Sequence, residues 1–135
     1  MFRIQTGIAL AAILAAGQVT VPRTLPRFGG NPEAARIANP SARTPESVAA
    51  GKRTYQRLCV NCHGPEAKGD GGGAGGGGQP ADLTDDHWDY GATDGEIFSV
   101  IREGTSADMQ GYADQISDAE IWNLVNYLRS IGPRK

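Results

Sequence analysis

The chain has 135 residues and a formal net charge of −2 at pH 7, so it has room for one domain and a short additional segment. This slightly acidic balance gives no reason to expect a nucleic-acid partner. The two cysteines and two histidines are too few for a structural zinc site built on two Cys pairs.

The first residues differ in kind from the rest of the chain. Arg3 gives a positively charged start, residues 4–16 are an almost uninterrupted apolar run, and residues 15–17 are small, as signal peptidases require. We therefore predict a secretory signal peptide at residues 1–17. Because the run is shorter than the roughly 20 residues that span a bilayer, an uncleaved membrane anchor over residues 1–16 is kept as the alternative.

Residues 18–43 contain four prolines and the pair Gly29-Gly30, with no sustained apolar period, which predicts a linker. The four arginines of this segment against one glutamate give a charge of +3, whereas the eight basic and fourteen acidic residues of 44–135 give −6. An acidic domain could steer toward a basic patch on a partner, and a basic linker could rest on anionic lipid or on a partner. The simpler interpretation is a solvated surface with a solvated linker.

The segment that begins at Thr44 predicts the first helix of a domain that we place at residues 44–135. Thr44 is a suitable N-cap, and Pro45 occupies the first helical position. Apolar or small residues then recur at spacings of three and four residues as far as Leu58, which gives the helix one apolar face. This helix leads directly into Cys59.

The motif Cys59-x-x-Cys62-His63 follows, and this is the attachment pattern of a c-type haem. Thiols one helical turn apart can add to the two vinyl groups of one porphyrin, and the adjacent imidazole can reach under the ring to bind the iron. We therefore expect one haem held covalently by Cys59 and Cys62, with His63 as the proximal ligand. A thiol redox pair and a zinc site that recruits His87 are the alternatives.

Three further elements are predicted after the motif. Residues 64–80 are rich in glycine and predict a flexible loop rather than regular structure. One helix then opens at a capping signal at Thr93 and closes at Gly104. A last helix with a clear apolar stripe opens at a capping box at Ser117 and stops at Gly132.

The sixth coordination position of the iron separates electron carriers from haem proteins that bind oxygen or a substrate. Met109 is the one methionine outside the predicted signal peptide, and its small, polar neighbours do not suit a core position. We predict that Met109 is the distal ligand. His87 competes for this position, although its aspartate neighbours favour an exposed histidine.

Taken in order, the helix, the haem motif, the glycine loop, the late methionine and the amphipathic last helix resemble the class I monohaem c-type cytochromes of bacteria over residues 44–132. The resemblance implies an all-α fold, a small cytochrome c-like domain of three to four helices around one covalently bound haem. It also implies that Gly51 and Tyr55 lie where the first helix crosses the last, with Tyr127 packed over Gly51.

The same resemblance implies further contacts with the haem. Pro80 resembles the loop proline whose carbonyl accepts the ring N–H of the proximal histidine, which would orient His63, and Pro65 is the alternative. Trp88 and Tyr90 resemble aromatic residues that pack beside the haem or reach a propionate. Arg102 is a candidate to neutralise a propionate, with a solvated arginine as the alternative.

The resemblance implies a one-electron carrier rather than an enzyme. We expect it to be a monomer exported to the periplasm, working between redox proteins such as a dehydrogenase, an oxidase or a reductase. A membrane tether through residues 1–16 is the alternative to a free periplasmic protein. The rival function is a haem enzyme, or a sensor of gas or peroxide, in which Met109 is a labile ligand.

Overall fold

The computed structural model describes residues 20–73, 76 and 78–133, so the predicted signal peptide lies outside the described residues. Within them the chain forms five helices: α1 (Pro32–Ala35), α2 (Pro45–Leu58), α3 (Val60–His63), α4 (Asp94–Glu103) and α5 (Asp118–Ile131). The predicted all-α class is confirmed. The number of helices exceeds the expected three to four because two helices of only four residues, α1 and α3, accompany the long ones. None of the helices in this described part is long and apolar enough to cross a bilayer.

Each long helix begins at the capping residue that the sequence predicts. Thr44 accepts a hydrogen bond from the backbone N–H of Ser47, and Thr93 and Ser117 each form a complete capping box with the glutamate three residues later. A capping side chain contributes about 1 kcal/mol to helix stability. Gly104 ends α4 with a φ of 75°, a conformation that favours glycine.

Helices α2 and α5 cross at Gly51, as the family resemblance implies. A side chain at Gly51 would run into the backbone carbonyl of Asn123 and would approach Cβ of Tyr127 to 2.8 Å. The glycine therefore lets the two helices come close together. The rings of Tyr55 and Tyr127 meet beside this crossing, with 5.3 Å between their centroids.

Helix α4 packs against α5. The buried rings of Phe98 and Trp122 stack with 4.0 Å between their centroids. An ion pair between Arg129 and Asp94, with 2.7 Å from Nε to Oδ1, joins the end of α5 to the start of α4. The buried side chains of the three long helices belong to one core cluster.

Residues 20–43, which we name the N-terminal arm, do not form the solvated linker expected from their composition. Val21 and Ala34 of the arm are buried, and helix α1 of the arm contacts α4. The arm therefore belongs to the packed domain. The amino-acid composition changes at residue 44, the expected start of the domain, but the packing of the chain does not.

Hydrogen bonds fasten the N-terminal arm to α4. The backbone N–H of Asn31 donates to Oε1 of Glu96 at 2.9 Å, and the hydroxyl of Ser99 donates to the backbone carbonyl of Thr24. Burial alone would raise the pKa of Glu96, but the hydrogen bonds from Thr93 and Asn31 outweigh it, so the pKa is lowered. One carboxylate thus serves both the capping box of α4 and the attachment of the arm.

Candidate functional site

A cavity of about 390 Å³ opens between the motif, helices α4 and α5 and the two loops that join α3, α4 and α5, which is within the roughly 300–1,000 Å³ of cofactor pockets. Core side chains supply much of its wall: Leu58, Ile97, Val100, Ile101, Leu124 and Leu128. Several residues singled out from the sequence also line it: Cys59, Cys62, His63, Pro80, Trp88 and Met109. The fold therefore brings both cysteines and both predicted axial ligands to one cavity.

The two cysteines lie at the start and within the turn of α3, and both are half-buried and free of a disulfide. Burial, and then the neighbouring Cys62, raises the pKa of Cys59 to about 12. A reactive redox cysteine needs a lowered pKa, so this environment does not favour the thiol redox alternative. Among residues 20–73, 76 and 78–133, no group of three or more His, Cys, Asp and Glu side chains could hold a metal ion.

His63 ends α3 and is half-buried in the cavity wall. Its Nδ1 lies 3.0 Å from the backbone carbonyl oxygen of Ala81. An Nδ1–H that donates to this carbonyl leaves Nε2 as the nitrogen free to bind iron. Burial lowers the pKa of His63, and the hydrogen bond to Ala81 only partly opposes this. The imidazole is therefore neutral at pH 7, which is the form that binds a metal.

The prediction that the Pro80 carbonyl accepts the His63 ring N–H is wrong. The Pro80 carbonyl faces Gly69, where any side chain would meet it, and the next carbonyl, that of Ala81, reaches His63. The two loop segments approach closely at Gly69, and in this arrangement the Ala81 carbonyl reaches the ring. Pro80 remains part of the cavity wall.

The described part of the glycine run wraps around α3. The backbone N–H of Gly71 donates to the carbonyl of Cys62 at 3.0 Å, and that of Gly73 donates to the carbonyl of Asn61 at 2.9 Å. A side chain at Gly71 would collide with the backbone of Asn61 and Cys62. The start of the run is therefore a close-fitting turn against the motif helix, whereas residues 74, 75 and 77 lie outside the described part.

Met109 is half-buried in residues 104–112, which we name the distal loop. The carbonyl of Met109 accepts a hydrogen bond from the backbone N–H of Thr105 at 2.8 Å. The backbone N–H of Met109 donates to Oγ of Ser106 at 3.2 Å. These contacts fix the backbone of Met109 within the loop.

The segment before α4 brings three residues that the sequence analysis singled out to the cavity: His87, Trp88 and Tyr90. The side chain of His87 is 81% exposed, and its Nε2 lies 3.0 Å from Oδ1 of Asp89. The imidazole is thus turned to a carboxylate in solvent. Trp88 and Tyr90 are half-buried and contribute aromatic surface to the wall.

Arg102 does not reach this cavity. Its guanidinium forms ion pairs with Asp118, at 3.0 Å, and with Glu103, at 2.9 Å. The guanidinium that was a candidate for a propionate is thus paired with carboxylates of the protein. Because Asp118 belongs to another helix, the sequence carried no local signal of this pairing.

Sequence reasoning missed two residues of the site. Ala81 contributes a backbone atom, so no side-chain pattern could have identified it. Tyr112 lines the cavity, and its hydroxyl donates to the carbonyl of Leu58 at 3.3 Å, which ties the distal loop to α2. Burial raises the pKa of Tyr112, so it stays a neutral donor. Its place three residues after Met109 was the available signal.

A protein-family model described as cytochrome c oxidase, cbb3-type, subunit III matches residues 46–128. The chain belongs to this family. The resemblance to class I monohaem c-type cytochromes is thereby confirmed, and so is a covalent c-type haem as the cofactor. The described residues fit this group, because an apolar cavity has two unpaired thiols at its edge and a neutral histidine beside them.

The cytochrome is similar to a cbb3-type cytochrome c oxidase subunit CcoP of Azospirillum sp., with 32% identity over 89 residues, or 65% of this chain and 30% of the relative. Cytochrome cL of Methylophaga aminisulfidivorans has a similar structure, with a TM-score of 0.57 and 26% identity over 70% of this chain and 57% of that one. A chain of the reducing HAO-like protein complex of Kuenenia stuttgartiensis matches with a TM-score of 0.64 and 28% identity, over 72% and 50% of the two chains. The chain spans less than a third of the length of the CcoP relative. Haem-based electron transfer is the activity class of this family.

Proposed function

We propose that this cytochrome carries one electron at a time between periplasmic or membrane redox partners, with His63 and Met109 as the axial ligands of one haem. The supporting observation is that His63, from a helix, and Met109, from a loop, line one apolar cavity beside both cysteines. When bound through Cys59 and Cys62, the haem supplies a one-electron iron couple.

The residues of the cavity favour a carrier. Its apolar wall disfavours added charge at the iron centre and so favours the ferrous state. The hydrogen bond to Ala81 fixes the tautomer of His63 and strengthens it as a ligand. A neutral thioether from Met109 raises the potential further. Two protein ligands leave the iron no open position for a substrate.

The rival function, a haem enzyme or sensor, needs polar groups beside an open iron position. His87 and Arg102, a histidine and an arginine that the sequence analysis considered near the haem, do not take this role. His87 is exposed and paired with Asp89, and Arg102 is paired with Asp118 and does not line the cavity. The contacts of these two residues support the carrier.

The proposed partners are larger redox proteins. The name of the CcoP relative, a subunit of a cytochrome c oxidase, supports an oxidase as one partner class. The basic start and the apolar run of residues 4–16 support export to the periplasm. We place the cytochrome there as a monomer that meets its partners transiently.

The test is a pair of optical spectra of the purified protein, oxidised and reduced, after expression in a host that matures c-type cytochromes. We expect a pigment that stays with the denatured chain, a six-coordinate low-spin iron with a sulfur-to-iron band in the ferric form, and a one-electron redox titration. Pigment lost on denaturation would contradict covalent attachment. A five-coordinate ferrous spectrum would contradict the ligand set and favour the sensor.

A further inference from the structure

The N-terminal arm carries an exposed aromatic side chain to the edge of the haem cavity. Phe28 is 74% exposed, and its ring meets Tyr90 edge-on with 6.0 Å between the centroids. Tyr90 itself lines the cavity. The backbone N–H of Gly29 donates to the carbonyl of Asp89 at 2.7 Å, which holds this turn of the arm against the cavity edge. Phe28 therefore extends the cavity wall outward into solvent.

The cavity that Tyr90 shares with its neighbours carries acidic residues. Four carboxylates line the cavity: Asp82, Asp85, Asp89 and Asp108. Among the described residues, no lysine or arginine lines it. Three of these, Asp85, Asp89 and Asp108, are exposed, and no described lysine or arginine forms an ion pair with them. Arg27 precedes Phe28 in the arm and is the basic neighbour in sequence.

An exposed aromatic ring beside a cavity that carboxylates line has the composition of a transient interface, with an apolar part and a charged part. The ring supplies short-range attraction once two surfaces meet. The carboxylates act over a longer range and speed the encounter with a surface of opposite charge. Because electrons leave a buried haem at its exposed edge, a partner seated on this face would lie close to the cofactor.

We propose that the redox partner of this cytochrome presents a basic patch, and that it docks on a face formed by Phe28, Asp85, Asp89 and Asp108. The inference rests on the proposed electron-carrier function and names the kind of partner that function needs. The arm, which the sequence predicted to be a linker, thereby supplies part of the docking face.

The test measures the second-order rate constant of electron transfer by stopped flow, from the reduced holoprotein to two protein probes, a basic cytochrome c and an acidic plastocyanin. The triple variant D85N, D89N, D108N removes three charges at the face. A matched control, E33Q, E66Q, D114N, removes three exposed charges outside the cavity lining. At low ionic strength we expect the basic probe to react about tenfold more slowly with the face variant. The control triple should leave the rate constant nearly unchanged.

Phe28 is tested separately, because its contribution does not depend on salt. We expect Phe28→Ala to weaken the complex with the basic probe by several-fold at both low and high ionic strength, whereas the loss in the face triple should disappear at high ionic strength. Leu25→Ala is the matched control, since Leu25 is an arm residue that is 62% exposed and does not line the cavity.

Three outcomes would overturn the proposal. The first is an equal loss of rate constant with the basic probe in the two triple variants. The second is a faster reaction of the parent protein with the acidic probe than with the basic probe. The third is an equal effect of Phe28→Ala and Leu25→Ala. A small uncharged redox mediator separates these outcomes from failure of the carrier function. If one of the three outcomes occurs while every variant still reduces the mediator normally, the carrier function stands and only the docking face is wrong.

Discussion

The two sides of the haem cavity are built by different means. On the proximal side, His63 ends a helix, its ring is held by the Ala81 carbonyl, and the backbone around the motif is closed by glycine turns. On the distal side, Met109 lies in a short irregular loop whose hydrogen bonds are mostly local, including one to the exposed hydroxyl of Ser106. The proposed proximal ligand is thus positioned by a helix and the loops packed against it, and the proposed distal ligand by its own loop.

Because of this difference, the two proposed ligands should respond independently to substitution. The proximal side depends on the crossing of α2 and α5, because α2 leads into the motif. The distal loop depends on that core mainly through Tyr112. A substitution that disrupts the helix crossing should displace both ligands, whereas a substitution that disrupts the loop should displace only Met109.

The largest effect is expected from Gly51→Val. The new side chain would collide with the Asn123 carbonyl and crowd Tyr127, so the helices must separate, and we expect a loss of about 3 kcal/mol or more in the free energy of unfolding. Denaturant unfolding followed by circular dichroism measures this. Ala49→Val, at an exposed position of the same helix, is the control and should cost well under about 1 kcal/mol. Equal stability of the two variants would show that the crossing does not need glycine.

The next effect is specific to the distal side. Met109→Ala should leave a covalently bound haem on His63 while opening the sixth position, so the iron should bind added azide or imidazole and its potential should fall. Optical spectra and a redox titration measure both changes. His87→Ala is the control and should keep the parent spectrum. A Met109→Ala variant with unchanged spectrum and potential would show that another group fills the position.

A smaller effect is expected at the hydroxyl that holds the loop. Ser106→Ala removes the acceptor for the backbone N–H groups of Asp108 and Met109, each at 3.2 Å. Because these groups are near solvent, we expect a loss of no more than about 1 kcal/mol in global stability, with faster displacement of Met109 by imidazole in stopped-flow measurements. Ser130→Ala, which alters a hydroxyl on α5, should not change that rate. Identical displacement rates would mean that Ser106 does not restrain the ligand.

The smallest effect on the haem is expected from Glu96, which serves the arm and neither ligand. Its pKa is lowered in the folded state, so it stabilises the fold above its ordinary pKa of 4.5, and this contribution is lost as the pH falls through the lower folded value. Glu96→Gln should therefore weaken the fold at pH 7 and reduce the loss of stability on acidification, with an unchanged haem spectrum.

Glu120→Gln is the matched control for this experiment. Glu120 completes the same kind of capping box in α5, but it does not hold the arm. We measure the free energy of unfolding with denaturant from pH 7 to pH 3. Its pH dependence should change less in Glu120→Gln than in Glu96→Gln. A larger change at Glu120 would contradict the double role assigned to Glu96.

The helices and the motif could be predicted from the sequence because their signals are local. Thr44, Thr93 and Ser117 are capping residues with partners three residues away. The motif places two thiols and an imidazole within five residues. The glycine at the crossing was recognised through a family resemblance that the structure bears out.

The remaining features depend on contacts between distant parts of the chain. The arm is held by Asn31 bonding to Glu96, 65 residues away, and its prolines and glycines gave no sign of this packing. Arg102 was misplaced because Asp118, its partner, is on another helix. The carbonyl that orients His63 could not be assigned because it depends on how two loops pass each other.

That carbonyl has a consequence for how such a cytochrome varies among organisms. Every amino acid carries the same main-chain oxygen, so codon changes at position 81 preserve the acceptor as long as the chain keeps its path. The electronic character of the iron centre is therefore sheltered from drift at the very residue that touches the imidazole. At this position, changes in potential should therefore arise from insertions or deletions that shift this stretch of chain, and not from substitutions.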